Sequence, residues 1–271
     1  MSARLTDVQN SQIGLICGVL EVTLLQSTNY FKNARQQGLP LSFDPRVLYR
    51  GYTAAVINMG GCTMFQVAAM GRIKKTLLAG EKRELTNQEQ FGAGFTAGVT
   101  SAVVGGPVEL AMIQQQRTGQ TLLATVRGLI NPNIVRGIVP TAIREGLWSM
   151  GYLSVPPVIG GALRNAMPDT FDSDDKARIP ASFLGALVVC FGSHPFDTAK
   201  TCMQGDIAQT KFKSMRQTFA TLYAENGIGG FYRGVNWRFL RQALAIFSMD
   251  TARSYFTDLL FPEAEAAALQ V

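Results

Sequence analysis

The sequence predicts an all-α membrane protein with six transmembrane helices and a threefold internal repeat. Two observations support this fold class. The chain of 271 residues is 47% hydrophobic and only 16% charged, and its few charges leave long uncharged runs between them. A short motif also recurs three times along the chain. A repeated motif indicates that the whole chain is built from copies of one structural unit.

Six segments are candidates for the membrane helices. A helix needs about 20 residues to cross the hydrocarbon core of a bilayer. Four uncharged runs reach or approach this length, and they are 51–71, 90–108, 146–163 and 179–196. Two weaker segments, 8–31 and 235–261, contain charged residues. Buried helices of a large soluble protein are the alternative interpretation of these runs.

The composition argues against several other classes of protein. Lys and Arg number 25 against 19 Asp and Glu, but the basic residues are scattered, so we expect no nucleic-acid partner. The four cysteines lack CxxC spacing, and His194 is the single histidine. Because metal sites and nucleophilic catalysis need clusters of such residues, we expect no metal, no other cofactor and no enzyme activity.

Two markers define the repeat. The first is Pro-x-acid at the end of an apolar run; it occurs at Pro107-Val108-Glu109 and Pro195-Phe196-Asp197, with a degenerate copy at Val19-Leu20-Glu21. These copies begin 88 residues apart, at positions 19, 107 and 195. The second marker is an Arg-Gly pair, found at Arg50-Gly51, Arg136-Gly137 and Arg233-Gly234.

This pattern resembles the mitochondrial carrier family over almost the whole chain. The resemblance implies one carrier domain, 1–271, with six tilted transmembrane helices in three pseudo-symmetric repeats: 1–86, 87–174 and 175–271. It also implies a multi-pass protein of the mitochondrial inner membrane, with a short surface helix of each repeat on the matrix side. The loops after the odd-numbered helices are the more basic ones. This bias places them in the matrix, by analogy with the positive-inside rule.

In carriers, an acid on one odd-numbered helix pairs with a base on the next, and the resulting ring closes the cavity toward the matrix. The 88-residue spacing assigns the acids of this matrix gate to Glu21, Glu109 and Asp197. The corresponding base positions are Leu24, Met112 and Lys200. We therefore expect one bridge, between Glu109 and Lys200. Glu21 would face Met112, and Asp197 would face Leu24.

Two further features of the family are incomplete here. Gln116 and Gln204 match the glutamine that braces the matrix gate, whereas Thr28 does not. The second ring of charges, on the even-numbered helices, is essentially absent. Asp250 and Arg253 have the right mutual spacing one turn early, which leaves a displaced bridge as an alternative.

The family's substrate-binding side chains project from the even-numbered helices, eight residues after each marker arginine. Here these positions and their neighbours are Asn58, Met59, Arg144, Glu145, Arg241 and Gln242. The Arg144-Glu145 pair is of the type found in carriers of amino acids, and guanidinium groups also bind carboxylates. Sequence neighbours on a helix diverge by about 100°. We therefore expect Arg144 and Glu145 to point apart, so that a substrate bridges them; structural pairing of the arginines with nearby acids is the alternative.

Two functions remain open. The first is a solute carrier of the mitochondrial inner membrane that moves an amino acid or a carboxylate by alternating access through a central cavity. The second is a carrier-derived subunit that has lost transport and serves a larger inner-membrane protein complex. The eroded gate charges favour the subunit, and the retained cavity charges favour the carrier. Membrane lipid, with cardiolipin as a candidate, is an expected partner in both cases.

Overall fold

The computed structural model describes residues 7–81, 83–129 and 133–261, and nearly all of them are helical. Short 3₁₀ segments, Asn133–Val135 and Gly227–Tyr232, precede two of the helices. The helices in chain order are α1 (Asp7–Gln37), α2 (Pro45–Leu48), α3 (Tyr52–Leu78), α4 (Asn87–Thr118), α5 (Leu122–Leu129), α6 (Ile138–Leu153), α7 (Val155–Ala166), α8 (Asp174–Gly205), α9 (Met215–Asn226) and α10 (Val235–Leu260).

The long helices form a closed ring. α1 packs on α3, α3 on α4, α4 on α6, α6 and α7 on α8, α8 on α10, and α10 returns to α1. The short helices α2, α5 and α9 each connect one member of the ring to the next. This arrangement confirms the predicted fold class of six membrane helices in three repeats. α4 begins at Asn87, where the second predicted repeat begins, and α8 begins at Asp174, one residue before the third predicted repeat; the exact repeat boundaries stay a prediction.

Polarity in the ring is inverted relative to a soluble protein. Large apolar side chains such as Met64, Val103 and Val188 are exposed on the outside, whereas Glu109 and Lys200 are buried inside. By length and composition, two helical stretches of the described residues, 45–78 and 87–118, could cross a membrane. The sequence predicts six spans. Charges of α1 and α10 face the interior, and the fourth span is divided between α6 and α7.

Two prolines divide the fourth span. Pro156 and Pro157 begin α7 and cannot donate the backbone hydrogen bonds that would continue α6. The Ser154 hydroxyl, at the junction, donates to the carbonyl of Gln90 at 2.6 Å. Glycine brings α6 close to α4, because a Cβ on Gly98 would collide with the carbonyl oxygen of Glu145. These contacts hold α6, with its two charged residues, against α4.

The three Arg-Gly markers have a common structural role. Their glycines are the N-caps of α3, α6 and α10, with left-handed φ values of 79°, 74° and 77°. A side chain is strained at such a φ, so glycine is required. Each glycine also approaches an odd-numbered span of the next repeat. A Cβ on Gly51, Gly137 or Gly234 would lie 3.0, 3.6 or 3.0 Å from the carbonyl oxygen of Met112, Lys200 or Lys32, respectively.

Candidate functional site

A central cavity of about 440 Å³ lies inside the ring of helices. Its wall includes all six residues that the sequence assigns to substrate binding, and they come from three helices, α3, α6 and α10. These residues are Asn58, Met59, Arg144, Glu145, Arg241 and Gln242. The marker spacing therefore predicts which side chains meet at the centre, and their role in binding stays a prediction.

One end of the cavity is closed by side chains of α1, α4 and α8, which we call the floor ring. Its members are Asn29, Lys32, Glu109, Met112, Asp197 and Lys200. The structure joins the pair expected from the sequence, with Lys200 Nζ 3.2 Å from Glu109 Oε2. Lys200 Nζ also lies 3.4 Å from Asp197 Oδ1. Lys200 is only 1% exposed, so these contacts neutralise a charge that has little access to solvent.

The prediction that Asp197 faces Leu24 is wrong. The sequence places Asp197 opposite Leu24, but Leu24 is 55% exposed on the outer surface. Instead, Lys32 Nζ lies 2.9 Å from Asp197 Oδ2, and the Gln36 amide donates to the same oxygen at 2.8 Å. The floor ring therefore contains a second ion pair, between α8 and α1.

The register assumed for the first repeat is also wrong, by eight residues. The marker glycines touch the backbone at positions 32, 112 and 200, which makes these three positions structurally equivalent. Asn29, rather than Glu21, thus occupies the acid position, and Gln36 corresponds to Gln116 and Gln204. An 88-residue spacing does not extend to the first repeat because the connections between spans differ in length. A sequence signal was present, since Lys32-x-x-x-Gln36 matches Lys200-x-x-x-Gln204.

The third junction of the floor ring, between α1 and α4, is neutral. The Asn29 amide contacts the Met112 sulfur at 3.4 Å. One turn further, Asn33 Nδ2 donates to the Gln116 side-chain oxygen at 2.8 Å, and both residues are buried. Gln204, at the equivalent position on α8, donates to the carbonyl of Gly106 at 3.3 Å. Polar contacts therefore close all three junctions, although only two contain ion pairs.

Glu21 lies in the cavity wall rather than in the floor ring. Its carboxylate accepts from Arg241 Nη2 at 2.8 Å, which joins α1 to α10. The assignment of Glu21 to the gate ring, opposite Met112, is therefore wrong. Glu21 lies eight residues before Asn29 on the same helix, about two turns from the floor.

Arg144 connects the wall to the floor. Its Nη2 donates to Glu109 Oε2 at 2.8 Å and also to the Glu145 carboxylate. The expectation that Arg144 and Glu145 point apart is wrong, because the long arginine side chain reaches back to its neighbour despite the helical offset. Glu145 also accepts from Gln66 Nε2 at 2.8 Å. The alternative interpretation, in which the arginines pair with nearby acids, is therefore confirmed for both. Arg144 pairs with Glu145, and Arg241 pairs with Glu21.

Sequence reasoning missed several polar groups of this cavity, among them Lys32, Gln66 and Arg238. Arg238 could have been predicted from the sequence. It precedes Arg241 by three residues and therefore lies on the same helix face. The displaced bridge between Asp250 and Arg253 concerns side chains outside those that the structure describes. Within the described ranges, no group of His, Cys, Asp and Glu is arranged to hold a metal ion.

Outside the helical ring, Asp206 organises the loop that follows α8. Partial burial opposes its ionisation, but hydrogen bonds from the backbone N–H groups of Phe212, Lys211 and Thr210 lower the pKa of Asp206 to about 2. The marker residue Arg136 donates to the carbonyls of Lys213, at 2.8 Å, and Phe212. The loop is therefore tied to the second repeat.

Comparisons with known proteins agree with this architecture. The family model described as "Mitochondrial carrier protein" matches residues 177–261. The chain is 29% identical over 221 residues to a mitochondrial glycine transporter of Saccharomyces cerevisiae, covering 74% of this chain and 71% of the relative. It is 24% identical over 216 residues to a putative mitochondrial 2-oxoglutarate/malate carrier protein of Neurospora crassa, covering 72% and 65%.

A third relative is the glutamate/glycine mitochondrial carrier of Schizosaccharomyces pombe, which is 23% identical over 210 residues and covers 69% of this chain and 67% of its own length. The relatives match most of the chain rather than the last repeat alone. Together with the closed ring of helices, these similarities support a solute carrier. The family model and these relatives show that the chain is similar to the mitochondrial carrier family, and they support its membership of that family.

Proposed function

We propose that this protein carries a small amino acid or carboxylate across the mitochondrial inner membrane by alternating access through the central cavity. The observation that carries the proposal is the convergence of Arg144, Glu145 and Arg241 on one cavity at the middle of the ring. Charged side chains are costly inside a membrane and usually mark a transport pathway. The named relatives include carriers of glycine, glutamate and 2-oxoglutarate/malate, which are solutes of this class.

The cavity offers both charges that such a solute needs. Guanidinium groups of Arg144 and Arg241 bind carboxylates, and the carboxylates of Glu21 and Glu145 bind an ammonium group. In the substrate-free arrangement these groups neutralise one another through the Arg241–Glu21 and Arg144–Glu145 pairs. A substrate that carries matching groups can replace each partner, so binding exchanges one set of ion pairs for another.

The floor ring supplies the gate of this proposal. Transport requires the ring to open on one side, which breaks the Lys32–Asp197 and Lys200–Glu109 contacts. Because Arg144 also binds Glu109, a substrate that draws Arg144 away from Glu109 weakens the floor directly. Substrate binding and gate opening thus share one side chain, which couples them.

The alternative of a transport-inactive subunit loses one of its two supports. It rested on the erosion of both rings of gate charges, but the floor ring has two ion pairs and a polar third junction. The second ring of charges is still essentially absent from the sequence. The relatives named above are themselves described as carriers or transporters.

Uptake into liposomes tests the proposal. Purified protein is reconstituted and assayed with radiolabelled glycine, glutamate, malate and 2-oxoglutarate. We expect wild-type uptake of at least one of them, and loss of that uptake in Arg144→Ala and in Arg241→Ala. Arg216→Ala, on the exposed face of α9, is the matched control and should leave uptake intact. Absence of uptake by the wild type for every amino acid and carboxylate tested would reject the proposal.

A further inference from the structure

Arg238 is a buried cation of the cavity that forms no ion pair with an acid among the described residues. It lies in the first turns of α10, is 7% exposed and lines the cavity. No carboxylate of the described residues lies within ion-pair distance of its guanidinium group. The acids around the cavity pair with other cations, in the contacts Glu21–Arg241, Glu109–Lys200, Glu145–Arg144 and Asp197–Lys32.

Neutral groups of α8 and α6 hold Arg238 in place. Its Nη2 donates to Ser193 Oγ at 2.7 Å, and its Nη1 lies 3.4 Å from His194 Nδ1. His194 Nε2 lies 3.0 Å from the carbonyl oxygen of Arg233. These contacts require a neutral His194 with its proton on Nε2, because Nδ1 must accept from the arginine. The Trp148 ring lies 5.5 Å from the guanidinium carbon.

The contacts with described residues leave N–H donors of Arg238 unused. A guanidinium group has five N–H donors, and Ser193 and His194 account for two of them. His194 is itself fixed by backbone and is fully buried, so it cannot follow a moving arginine. The guanidinium group is therefore preorganised to receive an anion from the cavity.

The charges that the described residues place around the cavity do not balance without a ligand. Among the described residues of the wall and floor, the cations are Lys32, Arg144, Lys200, Arg238 and Arg241. The anions are Glu21, Glu109, Glu145 and Asp197. This leaves one excess positive charge, and Arg238 is the cation without a counterion. An uncompensated buried charge is costly, so a ligand that brings one net negative charge gains from neutralising it.

We infer that Arg238 is a specificity-determining residue that binds a carboxylate of the transported substrate, and that this substrate carries one net negative charge. The inference rests on the proposed function and narrows its substrate class. Two kinds of solute share this chemistry: a monocarboxylate, and an amino acid with a second carboxylate. A neutral zwitterion leaves the excess charge of the cavity in place, and a dianion reverses its sign.

Uptake by liposomes that contain the full-length protein tests this inference with four probes: lactate, glutamate, glycine and malate. We expect lactate, glutamate or both to be taken up about tenfold faster than glycine and malate. Uptake of glutamate alone identifies the amino dicarboxylate as the substrate type, and uptake of lactate alone identifies the monocarboxylate.

The variant Arg238→Gln should reduce the ratio of monoanion uptake to glycine uptake about tenfold, because it removes the charge and retains a polar side chain. Arg238→Lys retains the charge and should preserve more of that ratio. Arg216→Gln makes the same change on an exposed helix face and should leave the ratio unchanged. Thermal melting in mild detergent checks that each variant is folded.

If Arg238→Gln does not fold, the melting temperature of the wild type still tests the inference. The preferred monoanion should raise that temperature, and glycine should not. The inference is overturned if the wild type prefers glycine or malate to both monoanions, or if a folded Arg238→Gln retains the wild-type ratio. Absence of all uptake by the wild type would instead reject the proposed function. The two failures are therefore distinguishable.

Discussion

The floor ring contains two ionic junctions and one neutral junction. Comparing them shows whether closing the cavity requires ion pairs. At the α4–α8 and α8–α1 junctions, a lysine meets a buried acid at 3.2 and 2.9 Å, and Lys200 is buried while Lys32 is partly exposed. At the α1–α4 junction, the equivalent positions hold Asn29 and Met112, which touch through an amide and a sulfur at 3.4 Å. All three junctions are closed. Shape and polar contact are therefore sufficient to close a junction, and ion pairs add strength to two of them.

The unequal junctions also have unequal consequences for opening. Separating an ion pair exposes two charges that need new partners or water, whereas separating Asn29 from Met112 exposes one amide and an apolar thioether. The α1–α4 junction is thus the easiest to part. α8 belongs to both ionic junctions, so Asp197 and Lys200 hold the ring together from one helix.

The largest effect is expected from Lys200→Ala, which removes the most buried cation of the ring. Glu109 and Asp197 both lose a partner, and breaking a buried pair costs about 3 to 5 kcal/mol. For a chain of this length we expect the melting temperature in mild detergent to fall by on the order of 10 °C. Lys213→Ala, in the exposed loop after α8, is the control and should change it little. A melting temperature of Lys200→Ala equal to that of the control would show that the ionic junctions do not stabilise the closed ring.

A smaller effect is expected when the neutral junction is converted into an ionic one. Met112→Lys buries a cation without a counterion, and Asn29→Asp adds a carboxylate beside Lys32, which already pairs with Asp197, so each alone should destabilise the protein. Together they can pair, and a double-mutant cycle should give a favourable coupling of about 1 kcal/mol. A more stable closed ring should also slow uptake relative to a wild type that transports. Additive effects of the two substitutions would mean that these positions do not meet in the closed ring.

The smallest effect is expected at Asp206, an acid that is satisfied by backbone amides instead of a lysine. Since its folded pKa is about 2 against an ordinary value of 3.8, its contribution to stability is present above pH 4 and is lost as the pH falls toward 2. Asp206→Asn should remove that pH dependence and cost about 1 kcal/mol at neutral pH, after allowance for solvent screening. Hydrogen exchange of the Thr210, Lys211 and Phe212 amides measures this loss of stability. Equal protection of these amides in the variant and the wild type at pH 7 would contradict the prediction.

Much of the fold and part of the site follow from the sequence by itself. Long uncharged runs and recurring Arg-Gly pairs are local signals, because a membrane helix needs length and a left-handed N-cap needs glycine. The same spacing correctly brought Asn58, Arg144 and Arg241 to one cavity, since a position counted from a helix start fixes a helix face.

Only the tertiary structure decided which charges meet. The register of the first repeat depends on contacts between helices, such as Gly234 against Lys32, and loops of unequal length hide it from a count of residues. Arginine side chains span several ångströms, so Arg144 reaches Glu109 and Glu145 although local helix geometry points it elsewhere. The excess positive charge around the cavity likewise becomes visible only when the described acids are matched with their ion-pair partners, because pairing depends on distances and not on sequence order.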